Sequence, residues 1–367
     1  MNIDYMNKLY NRVIAAYNKA PRSIKLTRRS FKPAAAKQTP PVMAQILELG
    51  ITDDINEVYN LIDDRKLPPH IQKQIHDTTL YSIFTPTAVQ HDIEQNAYHI
   101  YEYKNNRCSL KIYAAAVEVV AEVAAETVSR ISTMQTLYGN NTHYVDITIY
   151  LTDNKKIINP EDRMLGTNEI NSGVSIFQSD KIPKINIFRA EEMNKLIIHE
   201  MVHCLNLDDR HITVDFSKLF NVMPQTDYKV YEAYTEFMAV VINTMITHDK
   251  DTWQTAFAAE QRFALFQIAK ILIHYGFANM AEFNRPYCCD KFQQETAVFS
   301  YFFIKAALLF RAEEFLALKK QSRNSYIEFT KNPQFLEHVD AYMTYITANR
   351  QRIPTDLWNT LRMTINE

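Results

Sequence analysis

The chain has 367 residues, with 47% apolar, 12% aromatic and 22% charged side chains, a globular composition far from disordered, collagenous or membrane types. Five glycines are too few for a glycine-rich phosphate loop, which argues against P-loop and dinucleotide-binding enzymes. The formal charge of −2 hides an asymmetry: residues 1 to 40 carry nine Lys or Arg against Asp4, a net +8, so the remaining 327 carry −10.

Within that basic stretch Ile3, Met6, Tyr10, Val13, Ile14 and Tyr17 recur at helical spacing. Lys19, Arg22, Lys25, Arg28, Arg29, Lys32 and Lys37 follow, and Pro33, Pro40 and Pro41 close the segment as a linker. Residues 1 to 40 therefore read as a basic arm, open to three roles: a solvated or partner-binding leader, a contact to nucleic acid or another polyanion, or a transit peptide. From 41 to 96 the pattern is one of short helices, with Ile46, Leu49, Ile55, Val58, Leu61 and Ile62 apolar and Pro68 and Pro69 as stops. Four cysteines lack any C-x-x-C pair, and no apolar run approaches the roughly 20 residues of a membrane span. An intracellular protein without signal peptide, membrane segment or membrane partner is expected.

Tyr98 to Tyr103 and Ser109 to Tyr113 form a predicted hairpin, and a long helix follows over about Ala115 to Leu137. Three strands come next: Tyr144 to Leu151, Gly173 to Phe177 and Ile185 to Phe188. Glu191 to Leu205 then reads as a helix, with Glu191 and Glu192 placed to suit its positive end. Beyond Asp208 the pattern is helical over about 226 to 248, 252 to 275, 291 to 318 and 333 to 349. The expected fold is α+β, a small mixed sheet with one active-site helix over 97 to 210 and a mostly helical region over 211 to 367.

Inside the helix that follows the third strand stands His199-Glu200-Met201-Val202-His203, an H-E-x-x-H. Residues i and i+4 share a helix face, so both imidazoles can reach one metal ion, with Glu200 beside it to activate water. Chance alone would produce such a pattern about 0.02 times in this chain. A third ligand is available 29 residues on, where Glu232 and Glu236 share a face of the next helix. Glu232 is assigned to the metal and Glu236 to a ligand histidine, whose tautomer it would fix. Ala239 on the same face allows close helix approach. Asp209 is a rival third ligand, since Asn206 can adopt the left-handed turn that a glycine supplies in related motifs, and His211 is a weaker one.

Together, the order of elements, His199-Glu200-x-x-His203 and the run Glu232-Ala233-Tyr234-Thr235-Glu236-Phe237 resemble the zincin metallopeptidases, specifically the gluzincin branch, with Ala233 in place of glycine. The similarity spans about 115 to 245. It implies a zinc-dependent peptidase with a zincin-like core, His199, His203 and Glu232 as ligands, Glu200 as general base, and Gly173 to Phe177 as the edge strand along which a peptide or protein substrate would pair. Peptide deformylases share H-E-x-x-H, but their upstream cysteine motif is absent. His211, Tyr228, Arg285, Tyr287 and Tyr301 are candidates for stabilising an oxyanion. Usage of Asn, Ile, Tyr and Lys resembles that of proteins from large DNA viruses. The alternative is a structural or virion-associated protein that keeps a zincin-like core and contacts nucleic acid through its basic arm.

Overall fold

The computed structural model describes residues 3–20, 27–29, 85–95, 99–114, 119–139, 144–161, 164–176 and 182–366. The short helices expected over 41 to 79, and most of the basic residues between 21 and 40, lie outside the described residues.

Helix α1 (Ile3–Tyr17) carries Met6, Tyr10 and Val13 on one buried face, Val13 being fully inaccessible. Tyr10 stacks on Trp253 with ring centroids 5.3 Å apart. This corrects the reading of residues 1 to 40 as an arm throughout: the helical spacing seen in the sequence marks a core face, and Ile3–Tyr17 belongs to the globule. Strand β1 (Thr27–Arg29) pairs with β2 (His99–Lys104) after α2 (Thr87–Gln95), and β2 pairs antiparallel with β3 (Cys108–Ala114), giving the expected hairpin. Along β3 burial alternates strictly, as a half-buried strand requires.

Helix α3 (Val120–Leu137) crosses over to β4 (Val145–Tyr150), which is parallel to β3. A short strand β5 (Met164–Leu165) and a single helical turn α4 (Thr167–Ile170) lead to β6 (Gly173–Ile176), which pairs antiparallel with β7 (Lys184–Ile187). The mixed sheet has the order β1-β2-β3-β4-β7-β6, with β6 at its edge. β7 leads into α5 (Met193–Cys204), and the chain then becomes helical: α6 (Val230–Thr247), α7 (Trp253–His274) and α8 (Met280–Phe283). The fold is thus a mixed α+β protein with a small mixed sheet and a mostly helical carboxy-terminal region. Among the described residues no helix is long and apolar enough to cross a membrane.

Two expectations need correction. The helix expected from Glu191 begins at Met193, because Glu192 adopts a left-handed backbone (φ 61°) and turns its carboxylate inward to the buried Lys156 ammonium at 2.7 Å. The continuous helix expected over 291 to 318 is broken. Gln293–Gln294 forms β8, parallel to β5; a π-helical turn runs over Phe299–Ile304; and α9 (Lys305–Phe310) and α10 (Ala312–Leu316) follow. The polar run Gln293-Gln294-Glu295-Thr296 has no apolar face to bury, and its backbone bonds to the Met164–Leu165 strand instead. Helices α11 (Arg323–Thr330), α12 (Pro333–Asn349) and α13 (Thr355–Asn359) complete the chain, α12 matching its expected bounds.

Candidate metal centre

Helix α5 brings His199, Glu200 and His203 to a cleft of about 240 Å³ between the sheet edge and the helical region. All three are buried. Core residues Ile197, Ile198, Met201 and Val202 fill the rest of the helix surface, which fixes its rotation. Helix α6 packs against α5, with Ala233 and Ala239 fully buried, and it aims Glu232 and Glu236 at the histidines.

Glu232 Oε2 lies 3.4 Å from His199 Nε2 and 3.3 Å from His203 Nε2. His199, His203 and Glu232 form a group whose ligand atoms lie within 4.8 Å of one another. Tetrahedral coordination at bond lengths of about 2.0–2.1 Å separates neighbouring ligand atoms by about 3.3–3.4 Å, so two of the three separations already suit one small ion. The donor chemistry, two imidazole nitrogens and one carboxylate oxygen, also fits.

The far side of each ring is held by a carboxylate. His199 Nδ1 meets Glu236 Oε2 at 2.9 Å, and Glu236 Oε1 accepts from the buried Lys195 ammonium at 2.6 Å. His203 Nδ1 meets Asp208 Oδ2 at 3.0 Å, and the same oxygen accepts from Arg210 Nε at 2.9 Å. In the neutral ring such a pair holds the proton on Nδ1, which leaves the Nε2 lone pair directed at the cleft and raises its basicity.

Charge follows from this crowding. Burial would lower the His203 imidazole, but Glu232 and Asp208 outweigh it and raise it to about 10. Burial would raise the Glu232 carboxyl, but the two imidazoles hold it well below the usual carboxylate range. Four carboxylates converge here on two permanent cations, Lys195 and Arg210, and on the two imidazoles, so that imidazole deprotonation leaves a net negative charge that suits a bound cation.

Glu200 faces edge strand β6, where the Ser175 hydroxyl donates to its Oε2. Close approach of this strand requires Gly173: a Cβ there would lie 3.0 Å from the Asn186 carbonyl oxygen, 3.1 Å from Leu196 Cδ2 and 3.3 Å from Glu200 Oε1. On the opposite wall the Tyr301 hydroxyl, carried by the π-helical turn, donates to Glu232 Oε2 at 3.1 Å. Burial, with Glu232 and Glu200 nearby, raises that phenol well above its ordinary value and keeps it a donor.

The structure separates the alternatives left open by the sequence. Asn206 has the left-handed backbone expected of it (φ 57°), but the turn delivers Asp208 to His203 rather than Asp209 to the ion site. Asp209 is exposed and accepts from the His211 backbone N–H at 3.0 Å, and neither residue joins the ligand group. Of the oxyanion candidates, Tyr301 alone lines the cleft. Tyr228 donates to the Met223 carbonyl at 2.7 Å, Arg285 Nε to the Glu282 carbonyl, and exposed Tyr287 to Asp290. Asp208, Ser175, Lys195 and Arg210 were missed as participants. Asp208 carried a usable signal: an acid five residues past the second histidine, just after an Asn able to reverse the chain.

No family model matches the sequence, and no solved structure matches it. The chain is similar to Uncharacterized protein R210 of Acanthamoeba polyphaga mimivirus, 26% identical over 202 residues, which cover 48% of this chain and 52% of that protein. The chain thus spans about half the length of the curated relative it matches. The match agrees with the resemblance in residue usage to proteins of large DNA viruses.

Proposed function

We propose that this protein is a zinc-dependent peptidase in which His199, His203 and Glu232 hold the ion and Glu200 is the general base. The observation that carries the reading is the convergence of Glu232 Oε2 on both Nε2 atoms at 3.3–3.4 Å, with each ring oriented from behind by a carboxylate. When bound, zinc supplies Lewis-acid polarisation of a carbonyl and brings the pKa of water at an open position towards about 7.

The remaining work falls to the chain. Glu200, on the same face of α5 as the histidines, takes a proton from water at its carboxylate and returns it to the departing amine nitrogen. Ser175, donating to Glu200 Oε2, fixes which carboxylate oxygen is turned to the cleft. Tyr301 offers a hydroxyl donor to negative charge that develops at the attacked carbonyl, by exchanging its bond to Glu232 for one to substrate. Strand β6, at the sheet edge, offers backbone N–H and C=O groups to an extended peptide.

Glu200→Gln tests the reading. Peptide hydrolysis by the zinc-loaded protein is expected to fall about 10²- to 10⁴-fold, the usual contribution of a general base, with zinc content unchanged. Undiminished hydrolysis would remove Glu200 from the chemistry.

A further inference from the structure

The cleft is closed at one end by a side-chain hydrogen bond, Thr296 to Asn171, with the β5–β8 backbone pairing behind it. Glycine 173 sits beside Leu196 and Glu200 on α5, and Ser175 lies further along beside Glu200, so β6 starts at the amino-terminal side of the catalytic turn. Immediately before β6, the segment that ends in Ile170, Asn171 and Ser172 is joined to the opposite wall. β5 pairs with β8, Leu165 O accepts from Glu295 N at 3.2 Å, and Thr296 Oγ1 donates to Asn171 Oδ1 at 3.3 Å. Tyr275 cross-braces the seam, its hydroxyl donating to the Gln293 carbonyl at 2.6 Å and lying 3.3 Å from Leu165 N. Asn171 and Thr296 both line the cleft, and side chains in hydrogen-bond contact leave no passage for a strand, which needs about 4.7–4.9 Å on each side.

The direction of a bound peptide follows from β6. Antiparallel pairing is the more stable of the two modes, and it points the carboxyl end of the peptide towards Gly173 and the seam. From Gly173 to Asn171 is two residues, about 7 Å at 3.3 Å per residue. Two buried ammonium groups, Lys195 and Lys156, line the cleft as well. Each meets one carboxylate, Glu236 at 2.6 Å and Glu192 at 2.7 Å, and Lys195 also meets Met363 Sδ at 4.0 Å; an ammonium carries three N–H donors, so each keeps at least one.

We infer that the closed end receives the free carboxyl terminus of the substrate, so that the protein removes one or two residues from peptide carboxyl ends. This rests on the peptidase reading above. Hydrolysis breaks the C–N bond near that terminus; water supplies hydroxyl to the new carboxyl end and a proton to the released amine.

The test uses the full chain reconstituted with zinc and three pentapeptide pools: free termini, N-acetylated with free carboxyl, and carboxyl-amidated. Retention on Glu200→Gln is measured by affinity-selection mass spectrometry, and products of the wild type by mass spectrometry. Free and N-acetylated pools are expected to be retained alike, the amidated pool at least tenfold less, and products to lack one or two carboxy-terminal residues. Equal retention of the amidated pool, loss of the N-acetylated pool, or internal cleavage of a 20-residue peptide would overturn the inference while leaving hydrolysis intact. Carboxylate-dependent retention without any cleavage by the wild type would uphold the terminus-binding end and overturn the peptidase reading instead.

Discussion

Two buried polar regions adjoin along α5, and they differ in how their charges are answered. Around residues 360 to 366, Glu192 accepts from the Met363 and Thr364 backbone N–H groups, Glu260 from Thr364, Ile365 and Asn366, and Lys305 donates to the Met363 carbonyl at 2.7 Å. Every named carboxylate there meets donors and every ammonium an acceptor. In the cleft, by contrast, Glu232 and two imidazole nitrogens converge on common space. Buried ionisable groups alone therefore do not mark a functional site; two imidazoles and a carboxylate whose ligand atoms converge in a cleft mark a candidate. The first region fastens the chain, and the second brings together a group that could hold a metal ion.

Breaking the first region should cost stability and spare the metal. Glu260→Ala leaves four donors of residues 364 to 366 without their acceptor, with an expected loss of about 3 kcal/mol. Denaturant unfolding measures it, and zinc per folded chain should stay at the wild-type value. A variant that unfolds normally but binds no zinc would merge the two regions into one.

A pH experiment sharpens the same division. Burial lowers Lys270 to about 7 from an ordinary 10.5, although its ammonium reaches the Thr360 and Leu357 carbonyls. Between pH 7 and 10.5 the unfolded chain binds more protons at this residue than the folded one, so its contribution to stability rises with pH across that window and is least favourable below pH 7. Relative to Lys270→Met, the wild type should gain a few kcal/mol between pH 6.5 and 10, read from unfolding midpoints. Parallel curves for the two proteins would show that the carbonyls keep the lysine charged throughout.

In the cleft the corresponding change is Asp208→Asn, which keeps the shape but removes the charge behind His203. Zinc affinity should fall about 10- to 100-fold, measured by competition with a chelator, with unfolding in the absence of metal little altered. An unchanged affinity would reduce Asp208 to a partner of Arg210.

What the sequence revealed was local. His199, Glu200 and His203 share a face because of a four-residue step, and Glu232 and Glu236 repeat that step on α6, so the spacing picked out one candidate ligand set and one supporting carboxylate, with Asp209 left as a rival. The alternating strands were legible for the same reason, whereas the edge position of β6 was implied by the resemblance to zincins. Missing were the partners whose position depends on chain reversal or on distant segments: Asp208 reaches His203 through a left-handed Asn206, and Lys195 reaches Glu236 across two helices. The break at 293 to 298 was invisible because its cause is Met164–Leu165, about 130 residues earlier. Apolar periodicity in α1 was read correctly as a helix, but its basic continuation concealed that Val13 belongs to the core.

Metal content bears most directly on the central claim. Elemental analysis of the purified wild type beside His203→Ala and Glu232→Ala, each reconstituted with zinc and desalted, should give about one zinc per chain in the wild type and none retained in either variant. A wild type that retains no metal, or a Glu232→Ala variant that binds zinc as the wild type does, would contradict the ligand set on which the account rests.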